Sequence, residues 1–239
     1  MNTTFAELRQ QLIAETKAKV ASSVNDDHYL IQASTGLDQL EQAIHRLVKK
    51  AREWYGLLNP EGEHALADHA CFVEQADINA QGAMGATFAD EDKRALRSLL
   101  DTIKALYAEQ KRLSDYLEKK MQAHCPNITA LAGPRIGAQL LAHAGSLERL
   151  ATVPSSTLQL YGAETALFRH LRDKRRHRSP KYGILFNHPL IQHVTQPEKG
   201  KAARALADKL SLCARLDHFK GENKAAAYKA QLVQKFGEW

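Results

Sequence analysis

Apolar residues recur every three or four positions along most of this chain, which is the spacing of an amphipathic α-helix. The clearest series runs from Leu30 to Leu58 and keeps a heptad repeat. Its members are Leu30, Ala33, Leu37, Leu40, Ile44, Leu47, Ala51, Trp54 and Leu58. A seam of this length is typical of a coiled coil. The helix is predicted to end at Asn59-Pro60-Glu61-Gly62, because this composition stops helices.

A second series of the same kind follows and predicts a partner helix. It comprises Leu96, Leu99, Ile103, Leu106, Leu113 and Leu117, with Gln110 as a polar member. Thr87 and Asp90 have the spacing of a helix cap. Between the two series, residues 64–76 are also helical in pattern. The simplest arrangement is an antiparallel two-helix coiled coil with a small helical cap at about 59–89.

This coiled coil also offers a route to a dimer, since one hairpin leaves part of its apolar stripe uncovered. We interpret the seam as the dimer and coiled-coil contact. Its residues are Leu37, Leu40, Ile44, Leu47, Trp54, Leu96, Leu99, Ile103, Leu106, Leu113 and Leu117.

The remaining pattern is helical as well. Residues 4–20 predict a packing helix with Phe5, Leu8, Leu12 and Val20 on one face. After residue 125, short helices are predicted, with two more at about 198–219 and 223–236. Only residues 182–186 favour an extended piece. We therefore predict an all-α protein with an N-terminal helix (1–24), a coiled-coil hairpin (25–124) and a globular helical domain (125–239).

One stretch of that third domain stands out by its charge. Leu158, Tyr161, Leu167, Phe168 and Leu171 predict a packed helix, and a basic run that ends at Pro180 predicts a flexible loop after it. Residues 169–204 carry a net charge of +8, whereas the rest of the chain carries about −2. Positive charge concentrated in this way is suited to a polyanion.

Composition excludes several classes of protein. No stretch is apolar enough to span a membrane, and the N-terminus lacks the pattern of a signal peptide. The cysteines Cys71, Cys125 and Cys213 are scattered, which indicates a reducing, intracellular (cytoplasmic) protein. No Gly-rich phosphate loop, paired carboxylates or metal-ligand spacing is present. We expect no enzyme activity, no cofactor and no metal.

Several segments resemble, in order and spacing, the motifs of the Nop-domain family. They are residues 126–133 (PNITALAG), 141–151 (LAHAGSLERLA), 154–159 (PSSTLQ), 162–169 (GAETALFR), 181–190 (KYGILFNHPL) and 200–207 (GKAARALA). Arg52-Glu53-Trp54-Tyr55 and Met84-Gly85-Ala86 extend the resemblance into the hairpin, so it covers essentially the whole chain.

The resemblance implies an RNA-binding assembly protein of a box C/D ribonucleoprotein. It would recognise a kink-turn RNA jointly with a small ribosomal-type kink-turn-binding protein. The coiled coil would form a homodimer, or a heterodimer with a Nop paralogue. The family's fibrillarin-docking domain lies before the coiled coil, where this chain has only about 25 residues. Direct fibrillarin binding is therefore not expected.

The resemblance and the charge together give the candidate site. The RNA-binding candidates are Arg169, His170, Arg172, Lys174, Arg175, Arg176, His177, Arg178, Lys181, Asn187, His188, Lys199, Lys201 and Arg204. The candidates for contact with the protein partner are Gly162, Ala163, Glu164 and Thr165. Thr165 stands where the family usually has lysine, and Asn187 where it commonly has histidine. Glu164 could instead form an internal salt bridge.

Two other functions fit the same sequence. A protein-interaction scaffold could use the coiled coil to hold partners, with reduced or non-specific RNA binding. General nucleic-acid binding could proceed through the basic stretch alone, with steep salt dependence and no preference for a kink-turn.

Overall fold

The structure, a computed structural model, describes residues 5–239. Within that range every regular element is helical, which confirms the predicted all-α fold. The helices are α1 (Phe5–Ser23), α2 (Asp26–Leu58), α3 (Pro60–Ala65), α4 (His69–Gln75), α5 (Asp90–His124), α6 (Pro126–Ala132), α7 (Pro134–Ala144), α8 (Leu147–Thr152), α9 (Ser155–Leu158), α10 (Glu164–Arg172), α11 (Pro189–His193), α12 (Lys199–His218) and α13 (Ala225–Phe236). A 3-10 turn covers Ile184–Asn187.

The chain forms two compact units, which we describe separately. The hairpin unit is Thr35–Tyr116, and the globular unit contains the described residues up to Ser34 together with Leu117–Trp239. The domain boundaries predicted from sequence remain a prediction.

In the hairpin unit, α2 and α5 pack against each other in opposite directions. The side chain of Gln110 donates to Glu41 Oε1 at 3.2 Å. Their buried contact residues are Ile44, Val48, Ala51, Tyr55 and Leu58 with Leu96, Leu100 and Ile103. Leu40, Leu47, Trp54, Leu99 and Leu106 pack partly buried against this core. Much of the predicted seam is therefore buried within one chain. A role for the seam in a dimer remains a prediction.

The cap of the hairpin contains two short helices, α3 and α4, rather than the single helical stretch predicted from sequence. Asn59 ends the first long helix as expected, because its side chain accepts from Gly62 N at 2.8 Å and starts α3. The predicted cap at Thr87 is wrong. Its hydroxyl bonds to Gln81, and α5 begins three residues later at Asp90.

Helix α1 forms where the pattern predicts it, although the predicted start at residue 4 lies outside the described residues. The prediction that it packs is wrong: none of its residues is buried, and Phe5 is 85% exposed. The apolar spacing could not show whether anything covers these side chains.

The globular unit is built around α12, which contacts α6, α8, α9, α11 and α13. Its buried face contains Ala202, Ala203, Leu206, Ala207, Leu210, Cys213 and Ala214. Small side chains let the neighbouring helices approach closely. Near its end, the buried carboxylate of Asp217 accepts hydrogen bonds from the backbone of Asn127 and Ile128, both at 2.9 Å. It thereby satisfies two N–H groups at the start of α6 that have no partner within that helix.

An ion pair joins three segments of the same unit. His124 Nε2 lies 2.6 Å from Asp27 Oδ1, and the backbone of Leu147 donates to Asp27 Oδ2 at 3.0 Å. This carboxylate therefore ties the start of α2 to the end of α5 and to the first residue of α8.

The central helix predicted over 158–171 is broken in two. Gly162 adopts φ = +82° between α9 and α10, a conformation that L-residues rarely adopt. Within residues 182–186, predicted as extended, the last three instead belong to the 3-10 turn. The break allows α10 to leave the core, and this places the basic stretch on the surface.

Candidate nucleic-acid interface

Helix α10 carries the first residues of the basic stretch and lies at the surface, with Glu164, Leu167 and His170 half-buried and its other residues exposed. None of its residues is buried, and Phe168 and Leu171 are 65% and 54% exposed. The sequence-based prediction that these two side chains pack in the core is therefore wrong. Their spacing showed that they share a face, but not that this face is open to solvent.

The segment after α10 is held by hydrogen bonds, which corrects the prediction of a flexible loop. The Asp173 carboxylate accepts from the backbone of Arg175 at 3.1 Å and of Arg176 at 3.2 Å. His170 Nδ1 lies 2.6 Å from the carbonyl oxygen of His177 and donates to it. These contacts fold residues 173–177 back onto the end of α10 and keep the cationic side chains close together.

The following residues are fastened to the turn that precedes α10. Gln159 donates through Nε2 to the carbonyl of Lys181 at 2.6 Å, and Ile184 N donates to Tyr161 O at 2.8 Å. A Cβ at Gly183 would overlap the carbonyl of Tyr161, so this close approach requires glycine. The basic segment is thus anchored at both ends.

Glu164 forms the internal salt bridge that the sequence left as an alternative. Its Oε1 accepts from Gly162 N at 2.9 Å and lies 3.2 Å from His143 Nδ1. Burial raises the pKa of Glu164, but hydrogen bonds from the backbone of Gly162 and of Glu164 itself, with His143, outweigh this and hold it below its ordinary value. Beside it, the rings of His143 and Tyr161 stack at 5.9 Å. Of the other predicted contact residues, Gly162 and Thr165 are exposed and Ala163 is half-buried.

Most of the predicted RNA-binding side chains lie on the surface of the globular unit. The exposed ones are Arg169, Arg172, Lys174, Arg175, Arg176, His177, Arg178, Lys181, Asn187, Lys201 and Arg204, and the half-buried ones are His170 and Lys199. Lys199 and Lys201 lie in the first turn of α12, which contains no acidic residue. The N-terminal end of this helix adds positive potential to their charge.

His188 does not belong to this surface. It is 2% exposed, it accepts from Leu190 N through Nδ1 at 3.1 Å, and its Nε2 donates to Leu131 O at 3.0 Å. Burial lowers its pKa, so the ring is neutral and serves as the N-cap of α11. We therefore correct its place in the predicted RNA-binding set. The signal in the sequence was Pro189, which favours the first position of a helix and makes the preceding residue a cap.

The sequence reasoning missed an aromatic pair at the edge of this surface. Tyr182 and Phe186 stack with ring centroids 5.0 Å apart and planes 17° apart. Lys199 Nζ lies 5.1 Å from the centroid of the Phe186 ring. The extended piece predicted over residues 182–186 gave no indication of this contact.

Among residues 5–239, no group of three or more His, Cys, Asp or Glu side chains is placed to hold a metal ion. None of the described helices is both long and apolar enough to cross a membrane. What the surface does offer is a dense set of hydrogen-bond donors with positive charge, together with exposed apolar side chains.

The family model and the most similar curated proteins indicate the same family. Residues 70–238 match the family model described as "Nop: snoRNA binding domain, fibrillarin". An uncharacterised NOP5 family protein of Methanocaldococcus jannaschii is 37% identical, over 80% of this chain and 52% of its own length. Nucleolar protein 58 of Candida albicans is 35% identical, over 82% of this chain and 43% of its own length. The chain spans about half the length of these curated relatives.

A solved structure supports the fold. A chain in the crystal structure of a fibrillarin/Nop5p complex aligns with 97% of this chain and 77% of its own, with a TM-score of 0.60. Because the sequences are 24% identical, this likeness concerns the fold alone.

Proposed function

The chain belongs to the Nop family, and from that premise we propose that it is an RNA-binding assembly protein of a ribonucleoprotein rather than an enzyme. It recognises a kink-turn RNA of the box C/D type together with a small kink-turn-binding protein. The observation that carries the proposal is α10 with the segment that follows it, where clustered cations and exposed apolar side chains lie on adjacent residues.

The cations account for the RNA half of this recognition. Arg172, Arg175, Arg176 and Arg178 are exposed, and hydrogen bonds around Asp173 hold their backbone in a closed turn. Guanidinium groups donate to phosphate oxygens in a fixed, forked geometry. A sharply bent RNA brings phosphates of two strands together, so a compact cationic cluster gains more contacts there than on a straight duplex.

The apolar residues account for the protein half. Phe168 and Leu171 lie within one turn of each other on α10 and are both more than half exposed. Exposed aromatic residues flanked by arginine are typical of protein interfaces, where they are frequently hot spots. A partner already seated on the RNA would cover these two side chains while the phosphates meet the neighbouring arginines. This arrangement explains why one short helix carries both kinds of residue.

A second candidate function is a protein-interaction scaffold based on the hairpin unit. Leu57 and Met84 are 61% and 80% exposed, and the hydrogen bond from Ala86 N to Leu57 O at 2.8 Å brings their segments together. An apolar pair at this end of the hairpin favours contact with a second copy or a Nop paralogue. This contact is compatible with RNA binding, so the two functions differ in whether the basic segment is used. The fibrillarin of the solved complex is a partner of that protein and forms no part of this proposal.

The test is the salt dependence of binding to a box C/D kink-turn RNA saturated with its small binding protein. Replacing Arg175 and Arg176 by alanine removes up to two phosphate contacts, and the slope of log K against log salt should fall by about two. The matched control is Arg94→Ala with Arg97→Ala, which removes the same charge from the exposed face of α5. Equal slopes for the two double variants would contradict the proposed interface.

A further inference from the structure

The aromatic pair beside the basic segment has the construction of a binding surface. The Tyr182 and Phe186 rings are stacked nearly parallel, and Phe186 is 37% exposed. Core aromatic pairs are covered on all sides, whereas this pair leaves ring surface open to solvent. An exposed stack gains free energy when another flat ring covers it.

The backbone that carries the pair is rigid. Phe186 N donates to Gly183 O at 2.9 Å, and its own carbonyl accepts from Gln192 Nε2 at 2.5 Å. Gly183 in turn lies against the backbone of Tyr161, at a distance that no side chain could share. The ring is thus held in place before any ligand arrives, so little conformational entropy is lost on binding.

A lysine lies over the Phe186 ring, and a second lysine directly precedes Tyr182 in the chain. Lys199 Nζ lies over the Phe186 ring at 5.1 Å, and the Lys181 side chain packs along the backbone at Gly200. Glu198 is the only acid between residues 174 and 204. An apolar protein segment would gain little from the lysine side chains next to these rings. A nucleotide, in contrast, supplies a flat base to stack on the rings and a phosphate to pair with a lysine.

We propose that Tyr182 and Phe186 form a stacking platform for one unpaired base of the bound RNA, with Lys199 moving from the ring to an adjacent phosphate. The inference rests on the proposed function and adds to it a second element of recognition. Stacking of a base on an aromatic ring is stronger than an exposed contact between a cation and a ring, so the exchange is favourable. The platform lies next to Asn187 in the chain, which is one of the predicted RNA-binding residues.

The experiment tests whether the Phe186 ring and one RNA base contribute to affinity through the same contact. The probe is a synthetic box C/D kink-turn RNA, bound by its small partner protein, in a series with one abasic nucleotide at each unpaired position. Affinity is measured for the wild-type chain and for Phe186→Leu. We expect a loss of about tenfold for Phe186→Leu on intact RNA. We also expect one abasic position at which the wild type shows the same loss and the variant shows no further loss.

The chain offers a matched control. Tyr228 on α13 also has a lysine over its ring, with Lys209 Nζ at 5.2 Å, but it lies outside the basic segment. Tyr228→Leu should leave affinity unchanged. Phe186→Trp enlarges the ring and should retain or increase affinity, which guards against a loss of fold in the leucine variant.

Two outcomes would overturn the platform. One is that Phe186→Leu lowers affinity relative to the wild type by the same factor on the intact RNA and on every abasic RNA. This result would show that the ring does not contact a base. The other is unchanged affinity for Phe186→Leu. Either result leaves the proposed function standing as long as the wild type binds and the Arg175 and Arg176 variant is impaired. Absence of wild-type binding would instead reject the proposed function and the platform together.

Discussion

Helices α10 and α12 have similar compositions but opposite environments. Both combine alanine and leucine with arginine, and both belong to the globular unit. Helix α12 contacts most of its neighbours through a continuous buried face, whereas α10 has no buried residue. The apolar face of α12 thus stabilises the fold, and that of α10 remains available to a partner.

The largest expected effect is on stability, when one leucine in each helix is replaced by alanine and the two losses are compared. Leu206 of α12 is fully buried, so Leu206→Ala should cost about 3 kcal/mol through lost transfer free energy and a residual cavity. Leu171 of α10 is more than half exposed, and Leu171→Ala should change stability by less than about 0.5 kcal/mol. Urea unfolding followed by circular dichroism measures both. Equal losses would show that α10 packs as a structural helix.

The next effect concerns binding rather than stability. Phe168→Ala should weaken the complex with the RNA and its small partner protein by about 2 kcal/mol, the size of an interface hot spot. Its unfolding free energy should hardly change. The control is Phe219→Ala, because Phe219 is 74% exposed at the end of α12. If both variants bind like the wild type, the exposed face of α10 is not the partner's contact.

The smallest expected effect is a dependence of stability on pH. It arises from the ion pair between His124 and Asp27 in the globular unit, and α10 contains no comparable buried pair. The hydrogen bond that His124 donates to the Asp27 carboxylate raises the pKa of His124. Burial raises the pKa of Asp27, but hydrogen bonds from His124 and Leu147 N outweigh it and leave this pKa below its ordinary value. The pair therefore stabilises fully between about pH 4 and pH 6.5, the ordinary values of the two groups. This stability is lost as pH rises through the raised pKa of His124, or falls through the lowered pKa of Asp27.

His124→Gln removes that dependence. Between pH 5.5 and pH 9, the wild type should lose about 1 kcal/mol of unfolding free energy relative to the variant. Urea unfolding at the two pH values measures the difference. His64→Gln, at an exposed histidine of α3, should retain the wild-type dependence. A wild type and His124→Gln with parallel pH profiles would exclude a stabilising role for the pair.

The sequence predicted the positions of the long helices better than it predicted which helix faces are buried. Heptad spacing located α2 and α5, because an apolar repeat over many residues leaves few alternatives. The same spacing in 158–171 could not reveal the break at Gly162, which depends on the close approach of Ile184. Nor could it show that Phe168 faces solvent, because periodicity identifies a face and not what covers it.

Charge correctly indicated which residues of this stretch lie on the surface, whereas the positions of individual aromatic residues were not foreseen. The basic stretch lies on the surface, since arginine and lysine are rarely buried without a partner. His188 was placed in the same set by its position, but tertiary contacts with Leu131 and Leu190 occupy both of its ring nitrogens. The contact between Tyr182 and Phe186 was not predictable, since it arises from the 3-10 turn between them.

We propose that α10 and the basic segment bind RNA and protein as one composite surface. The most direct test is a gel shift at physiological salt on a box C/D kink-turn RNA, with and without the small kink-turn-binding protein. If the surface is composite, this chain should give a further shift only when that protein is already bound. Equal binding to the RNA alone, or to a straight duplex of the same length, would contradict it.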